Sequence, residues 1–165
     1  MAGRCRTIDR VPAYHDHNWG VWRGVSWDWG SARGASFNIL YGGVHAPESS
    51  TASAAGSFVA LVDSLGVRQI FRTARIRYRG TRPVTDSPGV MAPAGFDFDA
   101  VRDADRITVR ATIADVHATG RPGAGGLVYF LQMRGLFTVK GVVSGQVVAD
   151  SGSGFFETYV GGGQH

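Results

Sequence analysis

From Arg106 to Ile113 the chain alternates strictly: Ile107, Val109, Ala111 and Ile113 fall on one parity, Arg106, Thr108, Arg110 and Thr112 on the other. A period of two puts successive side chains on opposite sides of an extended strand, so one face is inside and the other is wet. No sustained helical period occurs anywhere. Short segments rich in Val, Ile, Phe and Tyr recur instead, most of them bounded by Gly, Pro, Asp or Ser: Ser36 to Val44, Ser57 to Asp63, Gly66 to Phe71, Arg72 to Arg79, Arg106 to Ala118, Gly126 to Arg134, Leu136 to Ala149 and Gly154 to Val160. With Val25 to Gly30 and Tyr14 to Gly20 there are about ten candidate strands, a number that suits a closed antiparallel barrel. The expected fold class is all-β, an antiparallel barrel of about 8–10 strands with little helix. Leu65-Gly66 and Ser144-Gly145 read as turns, Ala46 to Gly56 and Pro83 to Gly95 as rim loops, and Asp97 to Ala104 as room for one helical turn. Twenty-four glycines suit a bulged, strongly coiled sheet.

A chain of 165 residues, 44% hydrophobic, can build one sizeable core and is too short for two ordinary domains. The expected organisation is a flexible segment over 1–12, one barrel over 13–160 and a flexible tail over 161–165. The net charge of +4 rests on arginine, Lys140 being the only lysine. Arg68, Arg72, Arg75, Arg77, Arg79 and Arg82 form the one concentration, and Arg75, Arg77 and Arg79 alternate with Ile76 and Tyr78. That pattern reads first as a solvated outer strand face and second as a surface for peripheral contact with membrane headgroups. Apart from Tyr78 it lacks interleaved aromatics, so nucleic acid is not an expected partner. Cys5 is the only cysteine, which leaves no intrachain disulfide. Met1 to Arg10 holds no apolar core of secretory length and no apolar run spans a bilayer, so the expected location is cytoplasmic, soluble or peripheral to a membrane.

The chemistry concentrates near the N-terminus. Tyr14-His15-Asp16-His17-Asn18-Trp19-Gly20 and Trp27-Asp28-Trp29-Gly30 place two histidines, two acids, a tyrosine and three indoles within seventeen positions, and Trp22 adds a fourth indole. Buried imidazoles and carboxylates cost free energy unless partnered, so the mixture reads as part of a ligand site. In extended chain Tyr14, Asp16 and Asn18 point to one side and His15, His17 and Trp19 to the other, while Trp27 and Trp29 share a face opposite Asp28. Alternation leaves open which face points inward. Trp22 is the indole best explained by packing alone.

These two motifs resemble the second barrel of the lipocalin-like superfamily that includes carotenoid hydratases (hydroxyneurosporene synthases), AttH-like proteins, kievitone hydratase and some fungal Diels-Alderases. Gly152 to Val160 also resembles the final strand of that barrel. The resemblance implies a lipocalin-like barrel whose inward strands line an apolar cavity. The implied partner is a hydrophobic, isoprenoid-like small molecule, together with a second lipocalin-like barrel or a homodimer, because relatives carry two barrels in tandem. The implied activity is a hydratase-like lyase of carotenoid biosynthesis. The alternatives are a non-catalytic barrel that binds or carries an apolar molecule, and a half-domain that works only when docked to a partner barrel.

Alkene hydration needs a positioned acid to protonate carbon, shelter for the cation and one delivered water. A carboxyl in an apolar pocket is kept protonated by burial, and Asp16 and Asp28 are the acids at hand. Indole faces at Trp19, Trp27 and Trp29 can stabilise the cation, while His17 and Tyr41 can orient or deprotonate the water. In the resemblance His17 and Trp19 take the His and Trp of the His-Asn-Trp triplet and Tyr41 the downstream strand tyrosine. The family pattern puts an acid shortly after that tyrosine, where this chain has Gly42 and Gly43, so Asp16 or Asp28 is expected to replace it. The expected catalytic set is therefore Asp16, His17, Asp28 and Tyr41, with Tyr14, His15, Trp19, Trp27, Trp29 and Glu157 binding substrate. Glu157 reads equally as a rim residue, and Gln132 is a similar case. His15 and His17, with His45 or an acid, could clamp zinc, but no Cys pair or His-Glu-x-x-His accompanies them, and they serve as well to pin the first strand through hydrogen bonds. No phosphate-binding glycine loop and no Gly-x-Ser-x-Gly elbow is present, so neither metal nor nucleotide cofactor is expected, nor serine hydrolysis.

Overall fold

The computed structural model describes residues 7, 9, 15, 26–45, 57–72, 75–123 and 126–161. The alternating segments become nine strands: β1 (Ser26–Gly34), β2 (Asn38–His45), β3 (Phe58–Asp63), β4 (Gly66–Phe71), β5 (Arg75–Pro83), β6 (Met91–Arg102), β7 (Asp105–Gly123), β8 (Gly126–Val143) and β9 (Gln146–Gly161). They form one antiparallel sheet in the order β4-β3-β2-β1-β9-β8-β7-β6-β5. Among the described residues there is no helix. None is therefore long and apolar enough to cross a membrane.

Long strands β7, β8 and β9 make the spine. Ser144 and Gly145 turn β8 into β9 with φ of 50° and 73°, the double positive φ of a two-residue hairpin turn whose twist matches the strands it joins. In β7 a bulge between Ile113 and Asp115 resets the parity, so Ile107, Val109, Ala111 and Ile113, and then Val116 and Ala118, face the core while Asp115 and His117 face out. The sheet coils far enough for Tyr78 on β5 to touch Asp28 on β1 across the concave side. That side holds the core, dominated by Phe71, Phe96, Phe98, Phe137 and Phe156.

Several expectations need correction. The expected closed barrel is, among the described residues, an open sheet, because its margins β4 and β5 do not hydrogen-bond to each other. Side chains span part of the gap: Arg102 Nη1 donates to Gln69 Oε1 and to the Ile70 carbonyl, both at 3.1 Å, and Gln69 Nε2 donates to Asp105 Oδ2 at 2.6 Å. Of the expected rim loop Pro83 to Gly95, residues 84–90 form the β5–β6 loop, but Met91 to Gly95 and most of the expected helical turn belong to β6, where Phe96 pairs in register with Tyr78 and Ala111. Gly135 does not end a strand. Its missing side chain admits the Thr112 carbonyl, which a Cβ would meet at 2.3 Å, and β8 runs straight through.

Arg77 and Arg79 lie on the outer face and are engaged in cross-strand pairs. Arg77 bonds Asp97 and Asp99 at 2.6 and 2.7 Å, and Arg79 Nε meets Asp97 at 2.8 Å. Arg82 donates to the carbonyls of Ile113 and Ala114. Hydrogen bonds from Thr108 and then Arg77 hold the Asp99 carboxyl below its ordinary range.

Candidate functional site: a buried carboxylate in a cage of rings

Asp28 lies on β1 between two indoles, and the register decides which parity faces in. Gly30 and Ala32 share its side, as do Tyr41 on β2 and Phe156 and Thr158 on β9, and all are buried. Asp28 is 1% exposed. A carboxylate so placed requires hydrogen bonds, and it obtains them from distant strands. Tyr78 Oη donates to Oδ1 at 2.5 Å and Thr158 Oγ1 to the same oxygen at 2.6 Å. Burial, then the charge of Asp28, pushes the Tyr78 phenol well above its ordinary pKa. Tyr41 is raised well above its own by burial first, then by Asp28 and Glu157. Its buried hydroxyl has no hydrogen-bond partner among the described residues.

Rings enclose this polar knot. Tyr41 meets Phe96 at 5.6 Å, Phe98 at 5.3 Å and Phe156 at 6.3 Å between centroids, and Phe96 stands edge-on to Phe156 at 4.9 Å. Glycines make room for the rings. A Cβ on Gly30 would meet Tyr41 Cε1 at 2.3 Å, and one on Gly43 would meet Ser57 Oγ at 2.5 Å. Gly43 is the ladder partner of Asp28. Directly paired residues point their side chains to the same face. The carboxylate therefore rises beside Gly43, two residues after Tyr41, but from the neighbouring strand.

The expected site residues divide accordingly. Asp28 and Tyr41 come together in the interior. Trp27, Trp29 and Glu157 share the opposite, outer face, each half-buried, so the indoles do not wall the space that holds Asp28. There Trp27 Nε1 donates to Glu157 Oε2 at 3.3 Å and its ring packs edge-on against Tyr159 at 4.8 Å, while Trp29 meets Phe58 at 6.0 Å. Gln132 is on this outer face too, opposite Glu157. His15 is exposed and belongs to no strand. Tyr14, Asp16, His17, Trp19 and Trp22 lie outside the described residues.

Two members of the cluster escaped the sequence reading. Tyr78 alternates with arginines and reads as part of a wet face; the signal was its parity with buried Ile76. Thr158 shares a parity with Phe156, and a hydroxyl on a core parity asks for a buried acceptor.

Compared with known proteins, the chain matches no protein-family model, no curated protein and no solved structure.

Proposed function

We propose that this chain is a lipocalin-like, hydratase-like lyase that adds water to an alkene of a hydrophobic isoprenoid. One observation carries the reading. The resemblance asks for an acid shortly after the strand tyrosine; glycine stands there, and its ladder partner Asp28 supplies a carboxyl at the same point of the inner face, in one buried cluster with Tyr41. In its protonated form the Asp28 carboxyl gives its proton to one alkene carbon, leaving a tertiary cation on the other. Water forms the new carbon-oxygen bond and returns a proton to the carboxylate, so the acid is regenerated. Aromatic faces of Phe96, Phe98 and Phe156 stabilise the cation, a contact worth about 2 kcal/mol when desolvated. Tyr78 and Thr158 fix the carboxyl, and Tyr41 orients the water.

In the test, wild type and Asp28→Asn are incubated with an acyclic polyene bearing a terminal isoprenoid alkene. Wild type is expected to yield a product heavier by one water in mass spectrometry. Asp28→Asn, folded by circular dichroism, is expected to bind the polyene with the same absorbance shift and to lose turnover by about 100-fold or more. Undiminished turnover in Asp28→Asn overturns the assignment.

The ring contacts favour a second reading, a carrier without chemistry, because Tyr41, Phe96, Phe98 and Phe156 already touch one another in this part of the interior. That reading expects saturable polyene binding and no hydrated product from wild type.

A further inference from the structure

We infer that the outer face carries a second site, a groove at the β7 bulge that binds a small apolar carboxylate. The bulge interrupts the β7–β8 ladder, and the β5–β6 loop, tied by Val84 N–H to the Val90 carbonyl at 2.9 Å, brings Asp86 beside His117. Between them and β8 opens a groove of about 370 Å³, within the volume range of small-molecule sites. The partly exposed ring of Phe155 supplies its apolar surface, while Val116 and Met133 border the groove with their side chains turned to the core.

Its polar groups are His117, Gln132 and Arg134, with Asp86 and Asp115 as the acids. His117 Nδ1 lies 2.5 Å from Asp86 Oδ2. An ionised carboxylate only accepts, so Nδ1 carries the proton and the ring is held with Nε2 left to meet a ligand. Arg134 is 3.8 Å from Asp115, beyond hydrogen-bond length, and both side chains are more than two-thirds exposed. So wet a pair is weak, and the planar guanidinium keeps its fork for a bidentate partner. A carboxylate satisfies Arg134, with Gln132 and His117 beside it, while its apolar body covers Phe155.

The groove and the Asp28 cluster are on opposite faces of the sheet, so the two proposals fail separately. Backbone amide shifts are followed by NMR while phenylacetate, benzylamine or phenylethanol is added to wild type, Arg134→Gln, His117→Ala and Asp28→Asn. The expected result is saturable phenylacetate binding that perturbs the amides of His117, Gln132 and Phe155. It should be about tenfold or more weaker in Arg134→Gln, and unchanged in Asp28→Asn. In His117→Ala, which removes one wall of the groove, binding should weaken. Preferential binding of benzylamine, equal affinity of Arg134→Gln and wild type, or shifts that do not saturate would each overturn the proposal. Arg134 and His117 are exposed, so both variants are expected to fold, and their amide spectra verify it.

Discussion

A methyl group on Gly30 would lie 2.3 Å from Tyr41 and 2.8 Å from Phe156, both buried, so neither ring can swing aside. Gly30→Ala is therefore expected to lower unfolding free energy by about 1–3 kcal/mol in guanidinium melts, the range for overpacking a filled core. Its cost should shrink in a Phe156→Leu background, which vacates part of the ring's volume. At this scale the sequence was half legible. The parity that separates Asp28 from Trp27 and Trp29 follows from a period of two. Which parity turns inward does not, because hydrophobicity alone favours the indoles and the carboxyl enters only by virtue of hydroxyls on β5 and β9. Those partners lie 50 and 130 residues away, beyond any local pattern.

Among elements, β9 shows how one side chain can anchor a connection. Asp150 accepts backbone N–H groups from Ala35, Ser36 and Phe37 in the β1–β2 turn and from Ser151, at 2.7 to 3.2 Å. Burial alone would push this carboxyl up, but the four N–H bonds outweigh it and hold it below the ordinary 3.8. A depressed folded pKa contributes stability above the unfolded pKa and loses it as pH falls through the folded one. Asp150→Ala should therefore cost about 2 kcal/mol near neutrality. The difference from wild type in urea melts should fade below about pH 4. This latch was invisible in the sequence, where Asp150 looks like any strand-end acid. The strands themselves were largely legible. β6 was the exception, since its Pro93 and Gly95 imitate loop chemistry while the register uses Gly95 to pass close to the Ala111 carbonyl, 2.5 Å from where its Cβ would stand.

For the whole molecule, the interior phenols set an alkaline limit. Tyr41 and Tyr78 both ionise well above their ordinary value of 10.0, so above that pH the unfolded chain loses protons that the folded one keeps. Stability present below pH 10 should then fall with rising pH. Ultraviolet titration of tyrosinate should show these two phenols ionising only together with loss of near-ultraviolet dichroism. Tyr41→Phe should extend the stable range upward, and free ionisation of both phenols without unfolding would contradict the burial described. The all-β class and single antiparallel sheet were readable from alternation. Lack of closure was not, because a strand's own pattern does not say whether its far edge finds a mate. Where β4 faces the β6–β7 turn, the margins are joined by the reach of Arg102 and Gln69. Parting them there breaks no rung of the ladder, so this seam can open like an unbuttoned coat while the spine stays intact.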